Sequence, residues 1–131
     1  NNIGDEGAAS ISSSLSRNSS LTELRLAHNN IGPKGASRFA YDLPNNTSLI
    51  KLDLEKNMFG DAGAASIASG LAKNSRLEEL DLGANSIGDE GATSIALALA
   101  NNSTLCELDL CANCITASGV ATIASSLSTN A

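Results

Sequence analysis

Leucines recur along this chain in the frame L-x-x-L-x-L-x-x-N-x-(I/F), beginning at Leu21, Leu49, Leu77 and Leu105, 28 residues apart each time. The frame never slips: Leu24, Leu26, Asn29 and Ile31 align with Leu52, Leu54, Asn57 and Phe59, with Leu80, Leu82, Asn85 and Ile87, and with Leu108, Leu110, Asn113 and Ile115. A fixed period of that length predicts a solenoid, in which each unit buries its apolar side only against its neighbours. Early in each unit leucines alternate with charged residues, which predicts a short strand with one buried and one wet face. The rest has helical spacing. Ala64, Ile67, Ala68 and Leu71 recur at i, i+3, i+4 and i+7, as do Ala92, Ile95, Ala96 and Leu99, and Val120, Ile123, Ala124 and Leu127. Each such stripe is expected to lie on the strand leucines.

Polar residues between the stripes predict the boundaries. Asp5, Asp61 and Asp89 stand at the expected helix starts, where a carboxylate suits free amide groups, and Pro33 takes that place in the unit beginning at Leu21. Gly7, Gly35, Gly63, Gly91 and Gly119 form one column just beyond, which predicts a close backbone approach. Asn18, Asn46, Asn74, Asn102 and Asn130 recur where helices should end and read as left-handed residues closing the last turn. Asn29, Asn57, Asn85 and Asn113 read instead as a buried row of amides that satisfies backbone groups at a turn. Parallel strands stack about 4.8 Å apart whereas helix axes need about 8–10 Å, so the array must bend with its strands on the concave side.

The 28-residue period, the run Leu77-Glu78-Glu79-Leu80-Asp81-Leu82-Gly83-Ala84-Asn85 and the helix start Ile87-Gly88-Asp89-Glu90-Gly91-Ala92 closely resemble the ribonuclease-inhibitor type of leucine-rich repeat. The resemblance covers essentially the whole chain. It implies an α/β fold, a right-handed solenoid arc with parallel strands on the concave face and helices on the convex face. It also implies that the concave face meets a protein partner, as in ribonuclease inhibitor, nucleotide-binding immune receptors, tropomodulins and the Ran GTPase-activating protein. Residues 1–131 are expected to form a single array, a partial repeat over residues 1–20 and then repeats beginning at residues 21, 49, 77 and 105. Because Asn1-Asn2-Ile3 align with Asn29-Asn30-Ile31, and no polar capping repeat follows Leu127, the sequence reads as a segment of a longer protein.

Charge and composition narrow the function. A formal net charge of −6 opposes nucleic-acid binding. Aromatics are scarce and Trp is missing, which removes stacking platforms, and no apolar run is long enough to cross a bilayer. With the strand leucines buried, the third and fifth positions of each unit face outward: Glu23 and Arg25, Lys51 and Asp53, Glu79 and Asp81, Glu107 and Asp109, with Glu55 and Glu78 nearby. Glu23 is expected to pair with Lys51 and Arg25 with Asp53, each worth about 0.2–1 kcal/mol. The last two strands carry only acids, which points to a protein partner with a basic surface. A charged sheet face that is merely solvated explains the same residues, and both readings stand.

Candidate chemistry is thin. Cys106, Cys111 and Cys114 cluster in the last repeat, but zinc needs a fourth ligand and the only His, His28, is three repeats away. The cysteines are read as fillers of small gaps, with no metal or cofactor, and their odd count points to a reducing compartment, the cytoplasm. Sequons at Asn18, Asn45, Asn46, Asn101 and Asn102 largely coincide with the helix-end column, which already accounts for them. No Ser-His-Asp or Cys-His set is visible, and Gly-Asp-Glu-Gly at residues 4–7 and 88–91 reads as a helix start, so no enzyme activity is expected. The function read from the sequence is non-enzymatic protein–protein recognition on the strand face, from Glu23 to Asp109. Regulation of a GTPase in trans and an actin-filament-associated scaffold are the alternatives.

Overall fold

A computed structural model describes residues 1–129; Asn130, the last member of the helix-end column, lies outside the described residues. Strands β1 (Glu23–Arg25), β2 (Lys51–Asp53), β3 (Glu79–Asp81) and β4 (Glu107–Asp109) form one sheet in chain order. All pairs are parallel and in register, with Leu24, Leu52, Leu80 and Leu108 in line. Helices α1 (Gly4–Leu15), α2 (Pro33–Asp42), α3 (Gly60–Leu71), α4 (Asp89–Asn101) and α5 (Ala117–Thr129) form the second layer. Helix α2 gives way to a 3-10 turn at Leu43–Asn45, because Pro44 has no N–H to continue the helical ladder.

The core lies between the layers and is continuous through the stack, with Leu49, Leu52, Leu54, Phe59, Ile67 and Leu71 fully buried. The last helix departs from the expected stripe. Val120 is 57% and Leu127 54% exposed, whereas their equivalents Ala92 and Leu99 are 0% and 5% exposed. Each inner stripe is covered on both sides by neighbouring repeats, whereas α5 packs against α4 on one side and among the described residues no repeat covers its other side.

Two asparagine ladders run through the array. In the expected one, Asn57 Oδ1 accepts the N–H groups of Asn29 (3.2 Å) and Ile31 (2.9 Å), and its Nδ2 donates to the carbonyls of Leu26 and Leu54 (both 3.0 Å). Asn113 does the same for Asn85 and Ile87. The helix-end column forms the second, and it is not left-handed. Asn46 and Asn102 are extended, with φ of −83° and −100°. Asn46 Oδ1 accepts the N–H groups of Ser48 and Leu49, while its Nδ2 donates to the carbonyls of Leu15 (2.7 Å) and Asn18 (3.2 Å) one repeat earlier. Asn74 and Asn102 repeat that arrangement. Left-handed backbone occurs beside the first ladder instead, at His28, Asn30, Lys56, Ala84, Ser86 and Ala112.

The helix-start carboxylates also act one repeat further on than expected. Asp5 Oδ1 accepts the N–H groups of Gly32 (2.7 Å) and Gly35 (2.8 Å), which open α2. Asp61 serves Gly88 (2.7 Å) and Gly91 (2.9 Å) at α4, and Asp89 serves the Thr116 N–H (2.8 Å) and hydroxyl (2.6 Å) at α5. Each thus caps its neighbour's helix and pins two repeats together. Pro33 offers no carboxylate to α3, and there Gly60 swings to φ +55° and gives its N–H to the Asn85 carbonyl (2.9 Å). Gly4 does likewise at φ +61°, whereas the capped Gly32 and Gly88 are extended. The glycine column is tight against side chains and not backbone: a Cβ on Gly35 would lie 2.5 Å from Ile31 Cγ2, four residues earlier, and 2.8 Å from the capping Asp5 Oδ1, and at the uncapped Gly63 it would lie 2.6 Å from Phe59 Cβ.

Candidate functional site

The strand face gathers eight of the nine candidate residues, because the register sets Glu23, Lys51, Glu79 and Glu107 in one column and Arg25, Asp53, Asp81 and Asp109 in the next. Glu55, the ninth, lies just past β2 and pairs with Lys56 at 3.5 Å. The expected partners Glu23–Lys51 and Arg25–Asp53 do sit opposite each other, yet neither pair forms. Arg25 folds along its own strand onto Glu23, with Nη2 at 2.6 Å and Nε at 2.7 Å from Oε1, and Lys51 turns the other way to Glu79 at 2.7 Å. A guanidinium reaches its i−2 neighbour on the same face with two donors, which outcompetes a single cross-strand contact. The Glu79 carboxylate raises the Lys51 ammonium above its ordinary value, with Glu23 and Glu107 adding to it. These pairs are exposed and contribute little stability.

Glu107, Asp53, Asp81 and Asp109 form no ion pair among the described residues. Beyond Arg76 the chain has no Lys or Arg at all, so nothing on β3 or β4 offsets their charge. Three of these carboxylates have a second role. Asp53 Oδ1 accepts the Glu55 N–H (3.0 Å), Asp81 the Gly83 N–H (2.8 Å) and Asp109 the Cys111 N–H (2.7 Å), each ending its strand with a side-chain turn. Sequence reasoning missed this, although an Asp two residues before a turn is its recognised signal. Position in the column then separates the acids. Asp81, in the middle, is raised above the ordinary carboxylate range by partial burial, against the Gly83 N–H, and further by Asp109, Asp53 and Glu55. Asp109, at the edge, is lowered by the Cys111 N–H and then by the Cys111 thiol. That carboxylate in turn raises the thiol.

Cys106, Cys111 and Cys114 are free and exposed, so they fill no gaps, contrary to expectation; they lie on the repeat that nothing described covers. No three His, Cys, Asp or Glu side chains among the described residues are grouped to hold a metal. Of the sequon asparagines, Asn46 and Asn102 are buried in the second ladder, whereas Asn18, Asn45 and Asn101 are exposed. No helix among the described residues is long and apolar enough to cross a membrane.

Four stacked strand–helix units with in-register leucines and asparagine ladders define a repeat solenoid of the ribonuclease-inhibitor type. The family model described as leucine rich repeat matches residues 1–12, 17–40, 45–68, 73–96 and 101–124, and the chain belongs to that family. No curated protein matches it. Among solved structures, one described as leiomodin-1 actin-binding site 2 is similar, with a TM-score of 0.79, 23% identity, and coverage of 99% of this chain and 79% of that one. The tropomodulin C-terminal domain of Caenorhabditis elegans is similar with a TM-score of 0.78, 16% identity, and coverage of 99% and 82%. At such identities the likeness is one of fold.

Proposed function

We propose that this array is a non-enzymatic protein-recognition module whose concave strand face binds a partner bearing a basic surface, seated over β3 and β4. The observation that carries the reading is the column Asp53, Asp81 and Asp109, flanked by Glu107 and left without cations while the pairs Arg25–Glu23 and Lys51–Glu79 neutralise the face nearer β1. Membership of a repeat family built around an extended face supports the protein-binding part of the reading. Like charges on neighbouring strands cost stability, and an opposing basic surface would relieve that cost while steering association.

Lys in place of Asp81 or Asp109 would break the strand-ending turn as well as reverse charge, so Asn is the better substitution, since it keeps the Oδ1 acceptor. Immobilised wild-type array and the Asp81→Asn/Glu107→Gln/Asp109→Asn variant are used to capture proteins from lysate, with Glu90→Gln on the helix side as control. A protein held by wild type and by the control, released as salt shortens the Debye length from about 10 Å at 0.1 M to about 3 Å at 1 M, and lost by the triple variant, supports the reading. Equal retention by all three arrays removes it. The fold likeness to leiomodin-1 actin-binding site 2 favours one alternative, an actin-filament scaffold, which co-sedimentation with filamentous actin tests directly.

A further inference from the structure

We infer that a second copy of this chain fits the acidic strand face, presenting the outer side of its helix α2; the inference rests on the reading of that face given above and names its partner. The acidic column sets the geometry. Asp53, Asp81 and Asp109 stand on successive strands in register, so the column repeats about every 4.8 Å and spans about 9.6 Å. An extended peptide laid across the strands offers groups on one side only every 6.6–6.8 Å or about that. A helix offers them at i, i+4 and i+7, about 6.0 and 4.5 Å apart along its axis and about 10.5 Å in all, which follows the column closely. Of the five helices, only α2 carries Lys or Arg. Its Lys34, Arg38 and Tyr41 stand at i, i+4 and i+7 and are all exposed, Tyr41 to 71%. The Arg38 guanidinium lies 5.4 Å over the Tyr41 ring and 3.7 Å from Asp42, which steadies both side chains. Two cations and a phenol hydroxyl thus match in number and spacing three carboxylates that form no ion pair among the described residues. The lengths agree as well: α2 has 10 residues and spans about 15 Å, and four strands span about 14 Å. Lying along the column, α2 crosses the strands of the other copy, and because splayed helices form the convex side of an array, α1 and α3 fall away from it on either side. The contact joins two different faces, so copies add in an open chain or a closed ring.

Sedimentation velocity of the whole chain over a concentration series tests this. Wild type should associate reversibly, and less as the Debye length falls from about 10 Å at 0.1 M salt to about 3 Å at 1 M. Two variants each block one face: Asp81→Asn/Glu107→Gln/Asp109→Asn on the strands, and Lys34→Glu/Tyr41→Phe on α2, which keeps the Arg38–Asp42 pair. Each alone should associate at least about tenfold more weakly than wild type. Mixed in equal amounts they should regain one contact, α2 of the strand variant on the strand face of the helix variant, and stop at a dimer. If the triple variant does not fold, Asp109→Asn alone, at the edge of the sheet, takes its place in the mixture. Wild type that stays monomeric up to its solubility limit overturns the inference, as does undiminished association of either variant or a mixture that stays monomeric. The lysate capture detects other proteins and this titration only copies of the chain, so failure of the self-contact is distinct from failure of the acidic face to bind any basic partner.

Discussion

Asn57 and Asn85 occupy the same column, are both buried, and use their amides differently. Asn57 accepts from two backbone N–H groups of the preceding repeat, while Asn85 only donates, and its Oδ1 has no partner among the described residues. Replacing Asn85 by Ala removes an unmatched acceptor along with its bonds, and the Leu54 carbonyl keeps Asn57 as a donor. Asn57→Ala leaves the Asn29 and Ile31 amides without a partner, each costing about 1–3 kcal/mol. Chemical unfolding should therefore rank Asn57→Ala as the more damaging by at least about 1 kcal/mol. Equal midpoints would mean that the column acts by filling space alone. The role of this column was legible from its spacing, since an amide recurring at a turn after a strand has few other uses. The helix-end column was not: an Asn after a helix suggests a left-handed residue, and the local signal that decides otherwise, Oδ1 accepting from the N–H groups two and three residues on, depends on the loop turning toward the next strand.

Strand and helix positions follow from the two periodicities, and the register follows from the repeat itself. Partner choice across repeats does not. Asp5, Asp61 and Asp89 obey the preference for acids near a helix start, yet the amides they bind lie 27 to 30 residues further along, beyond the reach of any local capping rule. The same limit hid the ion pairs, because register brings Glu23 opposite Lys51 without deciding which neighbour each side chain selects. The two helix-start geometries give a contrast within one protein. Gly60→Ala forces a side chain into left-handed backbone and should cost about 1 kcal/mol. Gly88→Ala, at φ −101°, meets only the Asp61 carboxylate at 3.3 Å and should cost less. Urea midpoints of the two variants measure the difference. A larger loss for Gly88→Ala would show that the carboxylate cap, and not the backbone angle, limits substitution.

At the scale of the whole array, acid acts in two opposed directions. Asp81 is raised in the folded state, so its ionised form opposes folding; stability should rise as pH falls from neutral through that raised value, a gain complete below the unfolded pKa of about 3.9. Asp89, lowered by the Thr116 hydroxyl and N–H, and Asp109, lowered by Cys111, behave in the opposite way. Their contributions are present above about 3.9 and are lost as pH falls through the depressed folded values. Stability is therefore expected to rise as pH falls from neutral toward the unfolded carboxylate value of about 3.9, and to fall below it. Asp81→Asn should be the more stable protein at neutral pH and lack the rise. Wild-type stability that declines steadily from neutral to acid, or an unchanged slope in Asp81→Asn, would contradict the assignment.

The side-chain turns at the ends of the strands divide the face by permanence. Asp53, Asp81 and Asp109 each hold their own turn, so drift at the fifth position of β2, β3 and β4 is confined to residues with a short acceptor, Asp or Asn, whereas Arg25 on β1 holds no turn. The third position, occupied by Glu23, Lys51, Glu79 and Glu107, holds no backbone at all and is free to vary with nothing but exposed charge at stake. Two arrays of this lineage can thus share a nearly constant column of short polar residues and still diverge in specificity, rewriting one residue in each strand while leaving the frame that carries it untouched.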